Sequence, residues 1–226
     1  MSARDEILAR VRGATADIVT TPRDRGPVPV VEETSPGVPG TLDLFAENVA
    51  DYRAQVVRVG PSGVAGAVAG ALREHGCRTV VVPSGLDPSW RAAAEGVARV
   101  LSDAEVATYL ARDDVDAVVT ASAVGVATTG TIVLDHGADQ GRRELTLVPD
   151  THVCVVRADQ VVHDVPESVA RLRPGPDGAR PLTWISGPSA TSDIELERVE
   201  GVHGPRTLVV VLVAGAEQGP AREARS

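Results

Sequence analysis

The apolar residues of this chain come in short runs bounded by glycine, proline and charge. The runs are Val56-Val57-Arg58-Val59, Thr79-Val80-Val81-Val82, Asp116-Ala117-Val118-Val119-Thr120 and Thr207 to Val213. Runs this short read as strands. Their Val content and lack of polar alternation mark strands buried on both faces. Such strands must be covered by helices. The first half supplies them, with a helix from Thr41 to about Ala54, a helix of small residues ending near His75-Gly76, and a short one from Asp103 to Ala111. Strand and helix alternate, which predicts a mainly parallel sheet flanked by helices. A further short strand is expected over residues 97–101.

The second half has a different rhythm. Val124-Gly125-Val126-Ala127 and Thr131-Ile132-Val133-Leu134 stand at hairpin spacing, and Val153–Val156 follows in the same closely spaced group. A smaller antiparallel part is therefore expected beside the parallel sheet. Pro166 to Leu172 reads as a short helix and Thr183 to Ser186 as another strand.

Residues 2–19 carry a helical stripe of Ile7, Leu8, Val11, Ala14 and Ile18. Residues 20–40 hold Pro22, Pro27, Pro29, Pro36 and Pro39, the composition of an extended linker. The expected organisation is an N-terminal helix and Pro-rich arm over 1–40, an α/β domain over 41–214 and a tail over 215–226. The arm suits packing on a partner, on a second copy in a homo-oligomer, or on its own domain.

Composition excludes several functions. The formal charge is −9 and lysine is absent, so the surface repels nucleic-acid backbones and offers no P-loop lysine. Two cysteines, Cys77 and Cys154, stand far apart in apolar settings without a C-x-x-C. They read as reduced core residues and argue against a cluster or zinc site in this chain. His136, His152 and His163 lie beside strand ends without metal-ligand spacing. No segment has the length of a membrane span and no signal region opens the chain, so a cytoplasmic location is expected.

Three loops are candidates for chemistry. Gly60 to Gly66 turns from a strand into a helix, but its spacing is not that of a dinucleotide site, and a tight turn explains its glycines. Thr128-Thr129-Gly130-Thr131 sets three hydroxyls around a glycine. It reads equally as an anion-binding loop and as a simple hairpin turn. Gly187-Pro188-Ser189-Ala190-Thr191-Ser192-Asp193-Ile194-Glu195 is the richest. Ser192 and Glu195 fit a helix capping box, leaving Ser189, Thr191 and Asp193 as surplus polar groups. A helix start with surplus hydroxyls after a strand is where open α/β sheets bind ligands. His203 and Arg206, before the last strand, suit acid–base or orienting work and anion binding, or a plain turn.

These loops together resemble the LUD domain family. The resemblance rests on Thr129 to Leu134, on Leu147-Val148-Pro149-Asp150-Thr151-His152 running into Val155-Val156-Arg157, on Gly187 to Glu195, and on Gly201-Val202-His203-Gly204-Pro205. It covers residues 40–214. The resemblance implies a fold of the NagB/RpiA/CoA transferase-like group. It also implies a role in oxidising L-lactate to pyruvate, beside two iron–sulfur partner proteins. This chain resembles the members without cluster-binding cysteines. It is expected to bind no cofactor itself, with iron–sulfur clusters held by the partners. The implied ligand is a small carboxylate or other anion, at Thr129, Gly130, Thr131, Gly187, Ser189, Thr191, Asp193, His203 and Arg206. Asp193, Glu195 and His203 are the candidates for catalysis.

One departure stands out. The family places an acidic residue before Thr-Gly in the first loop, and here Thr128 occupies that position. Two other readings stay open. One is an acyl- or CoA-transferring enzyme using Glu195 as nucleophile. The other is a non-catalytic interaction or regulatory protein.

Overall fold

The computed structural model describes residues 3–16, 40–101, 105–106, 114–172, 180–191, 199–200 and 204–214. The chain divides into two compact units, residues 1–30 and residues 31–226. The first contains helix α1 (Ala3–Ala14), with Glu6 and Arg10 paired one turn apart at 2.6 Å. The Pro-rich linker, except Gly40 at its inner end, and the tail lie outside the described residues.

The second unit begins with α2 (Thr41–Asp51). Gly40 precedes it at φ 84°, with no side-chain cap, and Thr41 is its first residue. Strand β1 (Gln55–Val59) follows, then a 3-10 turn at Pro61–Gly63 and helix α3 (Val64–Glu74). A Cβ on Gly63 would meet the Val59 side chain at 3.2 Å, so the glycine belongs to a tight strand-to-helix turn. Next come β2 (Thr79–Val81), α4 (Pro88–Glu95) and β3 (Arg99–Leu101). Helix α4 was not anticipated from the sequence. Its local signals are an Asp87 cap, whose carboxylate accepts the Ser89 N–H at 2.8 Å, and Pro88 at the first position. Of the short helix expected from Asp103, only Glu105 and Val106 lie in the described residues, and both are helical.

Strands β4 (Ala117–Thr120), β7 (Thr151–Arg157) and β12 (Thr207–Val213) complete a six-stranded, all-parallel sheet in the order β1-β12-β7-β4-β2-β3. Strand β7 sits inside this sheet and not in the hairpin group. Its first six residues are buried, as a strand between two parallel neighbours must be.

The smaller sheet contains β5 (Val124–Val126), β6 (Thr131–Leu134), β8 (Val161–Val162) and β9 (Thr183–Ile185), in the order β8-β5-β6-β9. Two pairings are antiparallel and the β5–β8 pairing is parallel. Helix α5 (Val165–Arg171) opens with the Asp164 carboxylate accepting the Glu167 N–H at 3.0 Å. The short strands β10 (Ala190–Thr191) and β11 (Val199–Glu200) pair antiparallel.

The parallel sheet is a wall between two cores. Val153, Val155, Val209 and Val211 face α3 and α4. The alternate residues Cys154, Val156, Val210 and Leu212 face α2 and the small sheet, through Phe45, Val49, Ile132 and Leu134. Cys77 and Cys154 lie in different cores and both are free thiols. Burial pushes the Cys154 thiol up to about 12 and raises that of Cys77. Among the described residues no helix is long and apolar enough to cross a membrane.

The wall encloses one imidazole. His152 is buried on β7, with Nε2 2.8 Å from Thr120 Oγ1 on β4. Burial lowers its pKa from the ordinary 6.5 to about 4. Above pH 6.5 the ring is neutral whether folded or unfolded. Between pH 6.5 and 4 only the unfolded chain takes up this proton, so stability falls as pH falls through that window. The native protein should lose roughly 2 kcal/mol between pH 7 and pH 5 from this ring alone. Urea unfolding of native protein and His152→Gln at both pH values measures it, and the variant should show the smaller loss.

Candidate functional site

The β5–β6 turn and the chain leaving β9 meet on one side of α2. The pairing of β6 with β9 aligns Ile132 with Ile185, which puts Thr131 beside Ser186. Their hydroxyl oxygens lie 2.8 Å apart, and Thr131 Oγ1 is also 2.8 Å from Thr129 Oγ1. A chain of three hydroxyls thus joins the two loops. Thr131 is buried at its centre, while Thr129 and Ser186 are exposed at its ends.

Helix α2 is the surface on which both loops rest. Gly130 has φ 56°, and a Cβ there would lie 2.6 Å from the Asn48 carbonyl carbon. Gly187 has φ 83°, and a Cβ there would lie 2.6 Å from Tyr52 Cβ and 2.7 Å from its carbonyl oxygen. Each glycine is required twice, by its left-handed backbone and by its contact. Asn48 Nδ2 donates to the Ala127 carbonyl at 2.8 Å and clamps the turn to the helix.

A depression of about 280 Å³ opens here, lined by Asn48, Asp51, Tyr52, Thr128 and Thr129. Thr128 stands in the position where an acidic residue was expected, and it is exposed. Asp51 brings a carboxylate to the same depression from the helix. Hydroxyls, an amide and one carboxylate offer donors and acceptors for a small polar acid.

The remaining predicted residues divide. The Ser189 N–H donates to the Pro205 carbonyl at 2.8 Å, fastening the second loop ahead of β12. Arg206 lies 3.7 Å from Asp150, and both are exposed, a geometry of little energetic weight. Thr191 is in strand β10. Ser192, Asp193, Glu195 and His203 lie outside the described residues.

The topology also corrects the argument used for the second loop. Strand β9 belongs to the small sheet, so the loop does not leave the carboxyl end of a parallel strand. Tyr52 and Ser189 sit near the amino-terminal ends of β1 and β12. The site therefore stands on its own hydrogen bonds and not on the rule for open sheets. Asn48, Asp51, Tyr52 and Ser186 were missed by the sequence reading. On a sequence, the first three are polar positions of an amphipathic helix, and only their apposition to the glycines marks them.

A six-stranded parallel sheet backed by a small mixed sheet, with hydroxyl loops seated on one helix, defines an α/β domain of a recognisable kind. The model of the LUD domain matches residues 42–213, and the chain belongs to that family. A lactate utilization protein C from Deinococcus radiodurans is 48% identical over 172 residues, covering 76% of this chain and 79% of that protein. One from Geobacillus thermodenitrificans is 30% identical over 171 residues, covering 67% and 69%. A crystal structure of a DUF162 family protein from Deinococcus radiodurans superposes with a TM-score of 0.59 at 42% identity, covering 76% of this chain and 96% of that one.

The double requirement at Gly187 gives a direct test. Gly187→Ala should destabilise the domain by on the order of 2–4 kcal/mol, through a backbone contact that must open and a strained φ. The midpoint of urea unfolding measures it. An unchanged midpoint would show that the loop does not rest on Tyr52.

Proposed function

We propose that this chain is a subunit without iron–sulfur clusters in a system that oxidises L-lactate to pyruvate. In this reading it binds a small carboxylate in the Asn48–Thr129 depression and works beside iron–sulfur partner proteins. The observation that carries the reading is the 48% identity to a lactate utilization protein C across most of both chains. The family match spans both hydroxyl loops.

The chemistry of the site supports it. A three-carbon hydroxy acid presents a carboxylate and a hydroxyl. The depression offers hydroxyl and amide donors to the first, and the Asp51 carboxylate as an acceptor for the second. The thiols support the division of labour, because Cys77 and Cys154 lie in separate cores and converge on no common site. Electron transfer then falls to the partners. Whether this subunit turns over substrate or only holds it depends on Asp193, Glu195 and His203.

Deleting the gene should abolish growth on L-lactate and leave growth on pyruvate intact. Affinity purification from lactate-grown cells should recover cysteine-rich iron–sulfur proteins. Normal growth on L-lactate would refute the assignment. At the level of the site, Thr129→Ala should weaken L-lactate binding by roughly 5–10-fold, the weight of one hydrogen bond. Titration calorimetry reads this, with the fold retained because Thr129 is exposed and loses only its bond to the Thr131 hydroxyl.

A further inference from the structure

A second and larger cavity lies at the opposite end of the parallel sheet. The loop leaving β6 at Asp135 crosses the carboxyl ends of β2 and β4. Its Ala138 carbonyl accepts the Gly85 N–H at 3.0 Å, and its Asp139 carbonyl accepts the Ala121 N–H at 3.1 Å. A Cβ on Gly85 would lie 2.6 Å from Ala138, so the loop is pressed onto the turn after β2. The carboxyl edge of an open parallel sheet is where such folds bind ligands.

The loop is held from within. The buried Gln140 accepts the Asp135 N–H at 2.8 Å and the His136 N–H at 3.2 Å through its side-chain oxygen. His136 adopts φ 56°, a left-handed conformation for a residue with a side chain. Its ring is gripped at both nitrogens. Nδ1 lies 3.0 Å from the Gly141 carbonyl, which can only accept, so Nδ1 carries the hydrogen. Nε2, 2.9 Å from Thr183 Oγ1, is then the acceptor in the neutral ring.

Under this loop opens a cavity of about 790 Å³, lined by Ser84, His136, Arg142, Arg143, Glu144 and Leu145 among others. The protein carries a net charge of −9, yet two consecutive arginines, Arg142 and Arg143, line this space. Both are exposed, and neither has an ion-pair partner among the described residues. Asp135 is engaged by Arg180 at 3.7 Å, and Glu144 is the one carboxylate among the described lining residues. Among the described lining residues two arginines stand against one carboxylate, a positive excess that suits a doubly charged oxyanion. The volume is in the upper part of the range for organic ligands and larger than a three-carbon acid needs. Leu145 and the neighbouring Pro83, Val106 and Pro181 give it apolar walls.

We propose that this cavity is a binding site for a phosphate monoester with a ring-sized organic body. Arg142 and Arg143 take the phosphate, and the apolar walls take the body. The inference does not rest on the lactate reading, because the two sites share no residue.

Titration calorimetry of the full chain with AMP, glucose 6-phosphate, inorganic phosphate and succinate tests it. At least one of the two esters should bind, about tenfold or more tightly than inorganic phosphate, with affinity falling as salt rises. Arg142→Ala/Arg143→Ala should weaken that ester at least about tenfold, the scale of a lost charge-assisted contact. Its thermal midpoint should not change, and Thr129→Ala should bind the ester as the native protein does. Absence of ester binding at millimolar concentration would overturn the proposal. So would equal binding of succinate, or full affinity in the double variant.

Discussion

The pairing of β7 with β12 is the constraint on which the rest depends. Seven consecutive residues of each strand lie in parallel register, from Thr151 beside Thr207 to Arg157 beside Val213. Neither strand has a polar face to give to water, so each requires a core on both sides. Helices α3 and α4 satisfy one side. Helix α2 and the small sheet satisfy the other. The small sheet is thus a second cover layer as well as a carrier of loops, and its hairpin turn reaches α2 because Ile132 and Leu134 must bury themselves against Cys154, Val156 and Leu212.

This arrangement separates the two polar regions of the domain. One forms where the small sheet meets α2, built from hydroxyls and glycines with little charge. The other forms where the long β6-to-β7 connection crosses the carboxyl ends of the parallel strands, and it carries the arginines. The two cavities share no lining residue, so a change at one leaves the other intact.

Much of the fold was legible because burial on both faces leaves a plain mark. The Val-rich runs at 56–59, 79–82, 116–120 and 207–213 became parallel strands, and the 124–134 hairpin formed as its spacing suggested. Strand β7 was assigned to the wrong group. Proximity in sequence to a hairpin suggested an antiparallel neighbour, whereas its unbroken apolar run was the better guide. Helix α4 was missed because its apolar content is low, although Asp87 and Pro88 mark its start. The meeting of Thr131 with Ser186 leaves no mark in either loop's own sequence. Their contact depends on the β6–β9 register, which no local pattern encodes. Asn48 and Tyr52 were invisible for the same reason, since their role comes from what the glycines press against.

Those two glycines leave no side chain between the loops and α2. Gly130 and Gly187 touch the helix at its backbone and at Tyr52 Cβ, so the loops cannot be re-spaced by exchanging one small side chain for another. Asn48 is held by its bond to the Ala127 carbonyl, but Asp51 and the Tyr52 ring beyond Cβ are free of that restriction, and all three fall on one face about a turn apart. The spacing of the depression is therefore set by backbone contacts, and its lining can change at Asp51 and at the Tyr52 ring. The loops act as a fixed ceiling, and the helix supplies the variable floor.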